Sequence, residues 1–282
     1  MAFFNYNGKV FSEEEKIIGP SNRGLRYGDG IFETIKFKNG NLILAEQHFE
    51  RLWSGMEALL FSVPAHFTRE KLSIEINALV KKNKLKEARI RLTIIRGNGG
   101  IYDPKNDFPN YIIEAIRLPE DNGSLNINGL QLCVYEDAVK SIDKFSNLKT
   151  NNYLPYFMGA KFAKQQHCND AIILNNKGNI CDTTIANIFI IKDKIIYTPP
   201  PSEGCVEGVM RKWLLQSLKK LDYKIIETTI TKSFLLDAEE VFLSNSIYNI
   251  RWVGALENES YRNIEIEKIN ELLQRKHAAV YC

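Results

Sequence analysis

IFETIKFKNGNLILAEQHFERLWSGMEALL, residues 31–60, holds a strand, a tight turn and a helix in direct succession. IFETIKF (31–37) is rich in β-branched and aromatic residues and reads as a strand. Asn39-Gly40 suits the two central positions of a type I′ turn, which returns the chain through NLIL. Ala45, Phe49, Leu52, Trp53, Met56, Leu59 and Leu60 then recur at helical spacing. The pattern predicts a hairpin feeding an amphipathic helix.

Outward from this stretch the alternation continues. A second helix is expected over 68–83, and RIRLTII (89–95) and YIIEAI (111–116) read as strands. LPEDNGS (118–124) is polar, carries Pro and Gly, and marks a linker at 119–124 between domains 1–118 and 125–282. Beyond it, QLCVYE (131–136) reads as a strand and 153–167 as a helix. AIILNNKGNICDTTIANIFIIKDKIIYT then breaks into several strands at the turns NNKGN and KDK. A helix at about 208–221 follows PPPSEG, with strands near 223–229, 240–245 and 250–254 and a closing amphipathic helix. The expectation is a two-domain protein of mixed α and β content.

Composition narrows the function classes. A charge balance of 37 − 34 = +3 is too mild to call for nucleic acid or an anionic membrane as partner. No apolar run approaches the roughly 20 residues that span a bilayer, and MAFFNYNGKVFSEEEK turns polar too early for a secretory leader. The five cysteines (133, 168, 181, 205 and 282) are odd in number and lack C-x-x-C spacing. They suit reduced thiols in a cytoplasm. Four unclustered histidines argue against a metal enzyme.

The informative positions are few. Lys149, in FSNLKTNNYLPY (145–156), has no carboxylate neighbour in sequence between Asp143 and Asp170. It reads either as a surface loop lysine or as an amine that loses its proton readily and attacks carbonyls. In GCVEGVMRKW (204–213) the helix begins after Gly208, so the amides of Val209 and Met210 form either a plain helix start or a phosphate site. Arg51 is a second candidate phosphate ligand or a solvent-facing helix residue. Asp182, in NICDTTIANIF, is either a turn aspartate or a carboxylate set aside for a pyridinium nitrogen. RYGDGIF and RGNGGIY complete neither G-x-G-x-x-G nor a P-loop, so their glycines are expected to serve turns. An isolated lysine, a phosphate-holding helix start with an arginine, and a sequestered carboxylate together describe a pyridoxal phosphate site.

Over nearly its whole length the chain resembles the class IV aminotransferase family, the fold-type IV pyridoxal-phosphate enzymes. The matching segments occur in order. They are NRGLRYGDGIFETIKFKNGNLILAEQHFERL, RGNGG, LKTNNYLPYFMGAKFAK, NKGNICDTTIANIFIIKDKIIYTPP, EGVMRKWLL and AEEVFLSNSIYNIRWV. The resemblance implies a small α/β sandwich domain and a larger β-barrel-like α/β domain with pyridoxal 5'-phosphate between them, in a homodimer. It also implies that the larger domain carries Lys149 as the Schiff-base lysine. Arg51, Val209, Met210 and Ser246 would hold the phosphate, Tyr153 would contact the ring hydroxyl, and Asp182 would stand where relatives place a glutamate on the ring nitrogen. RGNGG, GVMR and LSNS resemble aminodeoxychorismate lyase more than the aminotransferases. D-amino-acid aminotransferases carry an arginine–histidine carboxylate trap after the strand ending in RG, and GNGGIYDPKNDFP has no such pair. Branched-chain or D-amino-acid aminotransferase is the alternative activity, and a non-catalytic binding protein the more distant one.

Overall fold

The computed structural model describes residues 2–281, which divide into two compact units: residues 2–120 with Leu148–Asn152, and residues 121–147 with 153–281.

The first unit opens with a hairpin, β1 (Phe3–Tyr6) and β2 (Lys9–Ser12), and a short helix, α1 (Arg23–Tyr27). There follow β3 (Gly30–Lys38), β4 (Asn41–Leu42), α2 (Ala45–Ala58), α3 (Arg69–Lys82), β5 (Ala88–Arg96) and β6 (Pro109–Arg117). The strands form one antiparallel sheet in the order β2-β1-β6-β5-β3-β4. Asn39 and Gly40 both adopt positive φ, 51° and 79°, as the type I′ turn between β3 and β4 requires. Period-2 alternation puts Ile31, Ile35 and Phe37 of β3 opposite Ile94, Ile90 and Ala88 of β5. These side chains pack against Phe49, Leu52 and Met56 of α2 and Leu72, Ile76 and Leu79 of α3. Truncating one of them, such as Met56, to alanine is expected to cost about 2–5 kcal/mol. The initial hairpin and α1 are additional to the elements expected from the sequence.

One expectation is corrected here. Lys149 was assigned to the larger C-terminal domain, yet Leu148–Asn152 belongs to the first unit. The reason is backbone pairing at the edge of β3. The Phe32 N–H donates to the Lys149 carbonyl at 2.9 Å, and the Asn151 N–H donates to the Gly30 carbonyl at 2.9 Å.

In the second unit β7 (Leu130–Lys140) leads to α4 (Leu154–Gln165), β8 (Asp170–Asn175), β9 (Ile180–Thr183), β10 (Asn187–Lys192) and β11 (Ile195–Thr198). After these come α5 (Val209–Lys219), β12 (Ile225–Glu227), α6 (Lys232–Leu236), β13 (Glu240–Asn245), β14 (Asn249–Leu256), β15 (Glu259–Ser260) and α7 (Ile264–Lys276). Their strands make a curled half-barrel sheet ordered β12-β11-β10-β13-β14-β7-β8-β9, with β15 paired to β14. β7 runs parallel to both β14 and β8. The β7–β14 seam starts where Gly129 and Gly254 touch: a Cβ on Gly129 would lie 2.3 Å from the Gly254 Cα. Only glycine tolerates so close a backbone approach. Glu240 caps α7 by accepting the Glu265 and Ile266 amides at 2.9 Å. Among the described residues no helix is long and apolar enough to cross a membrane.

Candidate active site

In the first unit the central group is Glu33. It has the inward parity of β3, opposite Leu92, and is buried among apolar side chains. Two α2 residues three positions apart reach it. Arg51 grips the carboxylate with both arms of its fork, Nε to Oε1 at 2.7 Å and Nη2 to Oε2 at 2.6 Å. His48 Nδ1 lies 2.7 Å from Oε2. Burial by itself would raise the Glu33 carboxyl, but the Arg51 and His48 charges and hydrogen bonds together outweigh it and pull the group down to about 2. Because the acceptor is an anion, Nδ1 carries the histidine proton. Nε2 is left buried without a hydrogen-bond partner among the described residues. Burial holds the imidazole below its ordinary range. Arg51 is therefore not a solvent-facing helix arginine: its side chain is only 15% exposed.

Lys149 is half-buried at the edge of β3. Its Nζ sits 4.5 Å from the centre of the Phe32 ring, which also lies 3.9 Å from the Arg91 guanidinium. Arg96, which ends β5, pairs with Asp29 at 3.2 Å and with Asp107, and donates to the Leu59 carbonyl. Arg23 also binds Asp29, at 2.7 Å, and holds the Gly99 and Ile101 carbonyls. The loop after β5 is thus tied to its own unit by the Arg96–Asp107 ion pair and by the hydrogen bonds from Arg23.

In the second unit Asp182 lies on β9 with its carboxylate buried. Oδ2 accepts from the Tyr156 hydroxyl at 2.8 Å, the Val206 amide at 2.9 Å and Lys140 Nζ at 3.4 Å. Oδ1 accepts from Asn187 Nδ2 at 2.8 Å, the one donor to it among the described residues, so it keeps capacity for another. Burial raises this carboxyl, and here Lys140, Val206 and Tyr156 oppose the shift without reversing it. Tyr153 stands at the N-cap of α4 and stacks on Tyr156 with ring centres 4.6 Å apart.

Asn187 also touches Gly208, where a Cβ would meet its Oδ1 at 1.9 Å. Gly208 is the N-cap of α5 and has no side chain to cap the helix. The first-turn amides of Val209 and Met210 are therefore left for an anion, which is what a phosphate cradle needs. Ser246 is half-buried in the turn after β13. That turn is shaped by Asn245 Oδ1, which accepts the Ile247 and Tyr248 amides. It lies two residues past Ser244, the β13 partner of Asn187.

The model of the family described as amino-transferase class IV matches residues 30–256. The chain belongs to the class IV aminotransferases. Members of this family are pyridoxal-phosphate-dependent aminotransferases or lyases. The chain is 31% identical to an aminodeoxychorismate lyase of Vibrio harveyi, over 90% of this chain and 93% of the relative. It is 27% identical to a provisionally named branched-chain-amino-acid aminotransferase of Methanocaldococcus jannaschii, over 96% of this chain and 93% of that one. Its fold is similar to the crystal structure of a branched-chain aminotransferase from Thermoproteus uzoniensis, with a TM-score of 0.86 at 24% identity, covering 97% and 94% of the two chains. Within this class IV aminotransferase, the first unit brings Lys149 and Arg51 together with Glu33, His48 and Phe32. The second brings Tyr153 and Asp182 together with Tyr156, Lys140 and Asn187, sets the start of α5, with Val209 and Met210, beside Asn187, and leaves Ser246 in the turn after β13.

Several of these residues were not expected from the sequence. Glu33 left a usable signal: a carboxylate at inward parity in a strand needs a partner, and His48 and Arg51 are spaced to supply one. Tyr156, Lys140 and Asn187 left none.

Proposed function

We propose that the chain is an aminodeoxychorismate lyase, which releases pyruvate from its substrate to leave 4-aminobenzoate. The observation that carries the choice is the set RGNGG, GVMR and LSNS, which resembles aminodeoxychorismate lyase more than the aminotransferases. The loop after β5, GNGGIYDPKNDFP, lacks the arginine–histidine pair of a D-amino-acid aminotransferase, and Arg96 before it is committed to Asp29 and Asp107. The likeness to the Vibrio lyase supports the same reading. Branched-chain aminotransferase is the second reading, favoured by the likeness to the Methanocaldococcus protein.

The residues fit pyridoxal 5'-phosphate. Arg51, the Val209 and Met210 amides and the Ser246 hydroxyl would hold its phosphate, Tyr153 its ring hydroxyl, and Asp182, through Oδ1, its ring nitrogen. When bound, the cofactor supplies an electron sink for carbanion chemistry. Lys149 Nζ would hold the cofactor covalently and then move the proton at the substrate carbon. Glu33 keeps the Arg51 fork pointed in one direction, which lowers the ordering cost of gripping a phosphate. A cytoplasmic homodimer belongs to the same reading, and sedimentation of the purified protein tests the dimer.

The deciding assay supplies pure protein with aminodeoxychorismate, beside D- and L-amino acids with keto-acid acceptors. Equal amounts of pyruvate and 4-aminobenzoate are expected. Keto-acid-dependent turnover of branched-chain amino acids without pyruvate release would overturn the lyase. Borohydride should fix the cofactor onto Lys149, and Lys149→Ala should lose several orders of magnitude in turnover while still binding cofactor. The competing amine is Lys36, which burial and the nearby Lys38 charge pull down to about 8. An adduct mapped to Lys36 would overturn the assignment.

A further inference from the structure

Lys140 takes no part in the reading above, yet it occupies an unusual place. β7 and β8 run in register from Leu132↔Asp170 to Tyr135↔Ile173, and the next pair is Lys140↔Asn175. Five residues of β7 therefore advance against two of β8. Irregularities of this kind re-aim side chains, often beside functional sites. Here the result is Lys140 Nζ at 3.4 Å from Asp182 Oδ2 and 5.2 Å from the centre of the Tyr156 ring.

The contact adds little to hydrogen bonding. Asp182 already accepts from Tyr156, Val206 and Asn187, so each of its oxygens has a donor without a lysine. Nor is a buried pair a ready source of stability, because removing both charges from water offsets most of the attraction. Lys140 is only 11% exposed and Asp182 3%. What remains is charge. A fixed cation beside a carboxylate cancels much of that carboxylate's field at any third group it faces. The other titratable groups around Asp182 are Tyr156, whose phenol burial pushes well up, and the Cys181 and Cys205 thiols, which are likewise pushed up. All three are neutral near pH 7. Lys140 is thus the cation that pairs directly with Asp182.

We infer that Lys140 is a positioning residue which acts through Asp182 to weaken the carboxylate's hold on the proton of the cofactor ring nitrogen. This rests on the reading that Asp182 faces that nitrogen. Two features would then act in one direction, a shorter carboxylate and a neighbouring cation, and both would make the ring a more restrained electron sink. Such restraint favours a reaction in which the carbanion expels a leaving group promptly over one in which it persists and is reprotonated elsewhere.

The test is ¹⁵N NMR of the holoenzyme loaded with pyridoxal 5'-phosphate labelled at the ring nitrogen, recorded across pH. Lys140→Met should raise the pH at which the ring proton is lost by about one unit or more. Lys140→Arg, which keeps the charge, should stay near the wild-type value. Asp182→Asn should lower it. If Lys140→Met titrates like wild type while Asp182→Asn shifts, the inference fails and the assignment of Asp182 survives. If Asp182→Asn leaves the signal unmoved, the assignment fails and takes the inference with it. A Lys140→Met shift that Lys140→Arg reproduces would show that shape, not charge, is at work, and would also overturn the proposal.

Discussion

Glu33 and Asp182 are both buried carboxylates, one in each unit, and they respond to burial in opposite ways. Glu33 is pulled down to about 2, whereas Asp182 is pushed up. The difference lies in the partners. Glu33 receives a charged, two-armed fork at 2.6–2.7 Å. Asp182 receives three neutral donors and a lysine at 3.4 Å. Charge-assisted, bidentate bonds are roughly twice as strong as neutral ones, and they outweigh desolvation where a more distant monodentate cation does not. Glu33 is built as a permanent anion that fixes an arginine. Asp182 is held in balance, which suits a group that answers to a proton nearby.

The largest test of this contrast is Glu33→Gln. A carboxyl moved from 4.5 to about 2 contributes on the order of 3 kcal/mol at neutral pH. Because the folded value is depressed, that contribution is complete above about 4.5 and is lost as pH falls through about 2. Denaturant titrations of wild type and variant should therefore converge in acid. A constant gap between pH 7 and pH 3 would show that Glu33 acts by packing alone.

Next in size is Arg51→Ala. Losing one charge-assisted contact is expected to weaken cofactor binding by about 1.5–3 kcal/mol, roughly ten- to a hundredfold. The amides at the start of α5 remain, so binding should persist. Unchanged affinity would leave Arg51 as a clamp on Glu33 and nothing more.

For Asp182→Asn a smaller cost is expected, about 1–2 kcal/mol at neutral pH, with the opposite pH trend. A carboxyl raised by folding stabilises the fold below its unfolded value, and that stabilisation is lost as pH rises through its folded value. The gap between wild type and Asp182→Asn should therefore widen on acidification, while the Glu33→Gln gap narrows. Parallel trends in the two variants would dissolve the comparison.

The smallest effect belongs to Tyr156→Phe, which removes one neutral donor from Oδ2. It should cost about 0.5–1.5 kcal/mol and leave the Lys140 contact in place. A loss as large as that of Glu33→Gln would mean that the tyrosine, and not burial, governs this carboxylate.

How much of this was legible beforehand differs between the units for a physical reason. The partners of Glu33 are 15 and 18 residues away along one strand–turn–helix. Strand parity and helical spacing are local rules, so they already place Glu33, His48 and Arg51 on facing surfaces. Asn187 lies five residues from Asp182, but the other partners of Asp182 come from 24, 26 and 42 residues away, through α5's approach loop, α4 and the irregular end of β7. Periodicity reports which face is buried and says nothing about which distant residue meets it. The strand–turn–helix from β3 to α2, the I′ turn within it and the helix that begins after Gly208 were thus determined by sequence alone. Tertiary structure decided that Lys149 joins the first unit, because an edge of β3 offers unpaired backbone groups to whichever segment arrives there. Tertiary structure also decided that Asp182 meets a lysine, because three extra residues on one strand turn a side chain that no local pattern could aim.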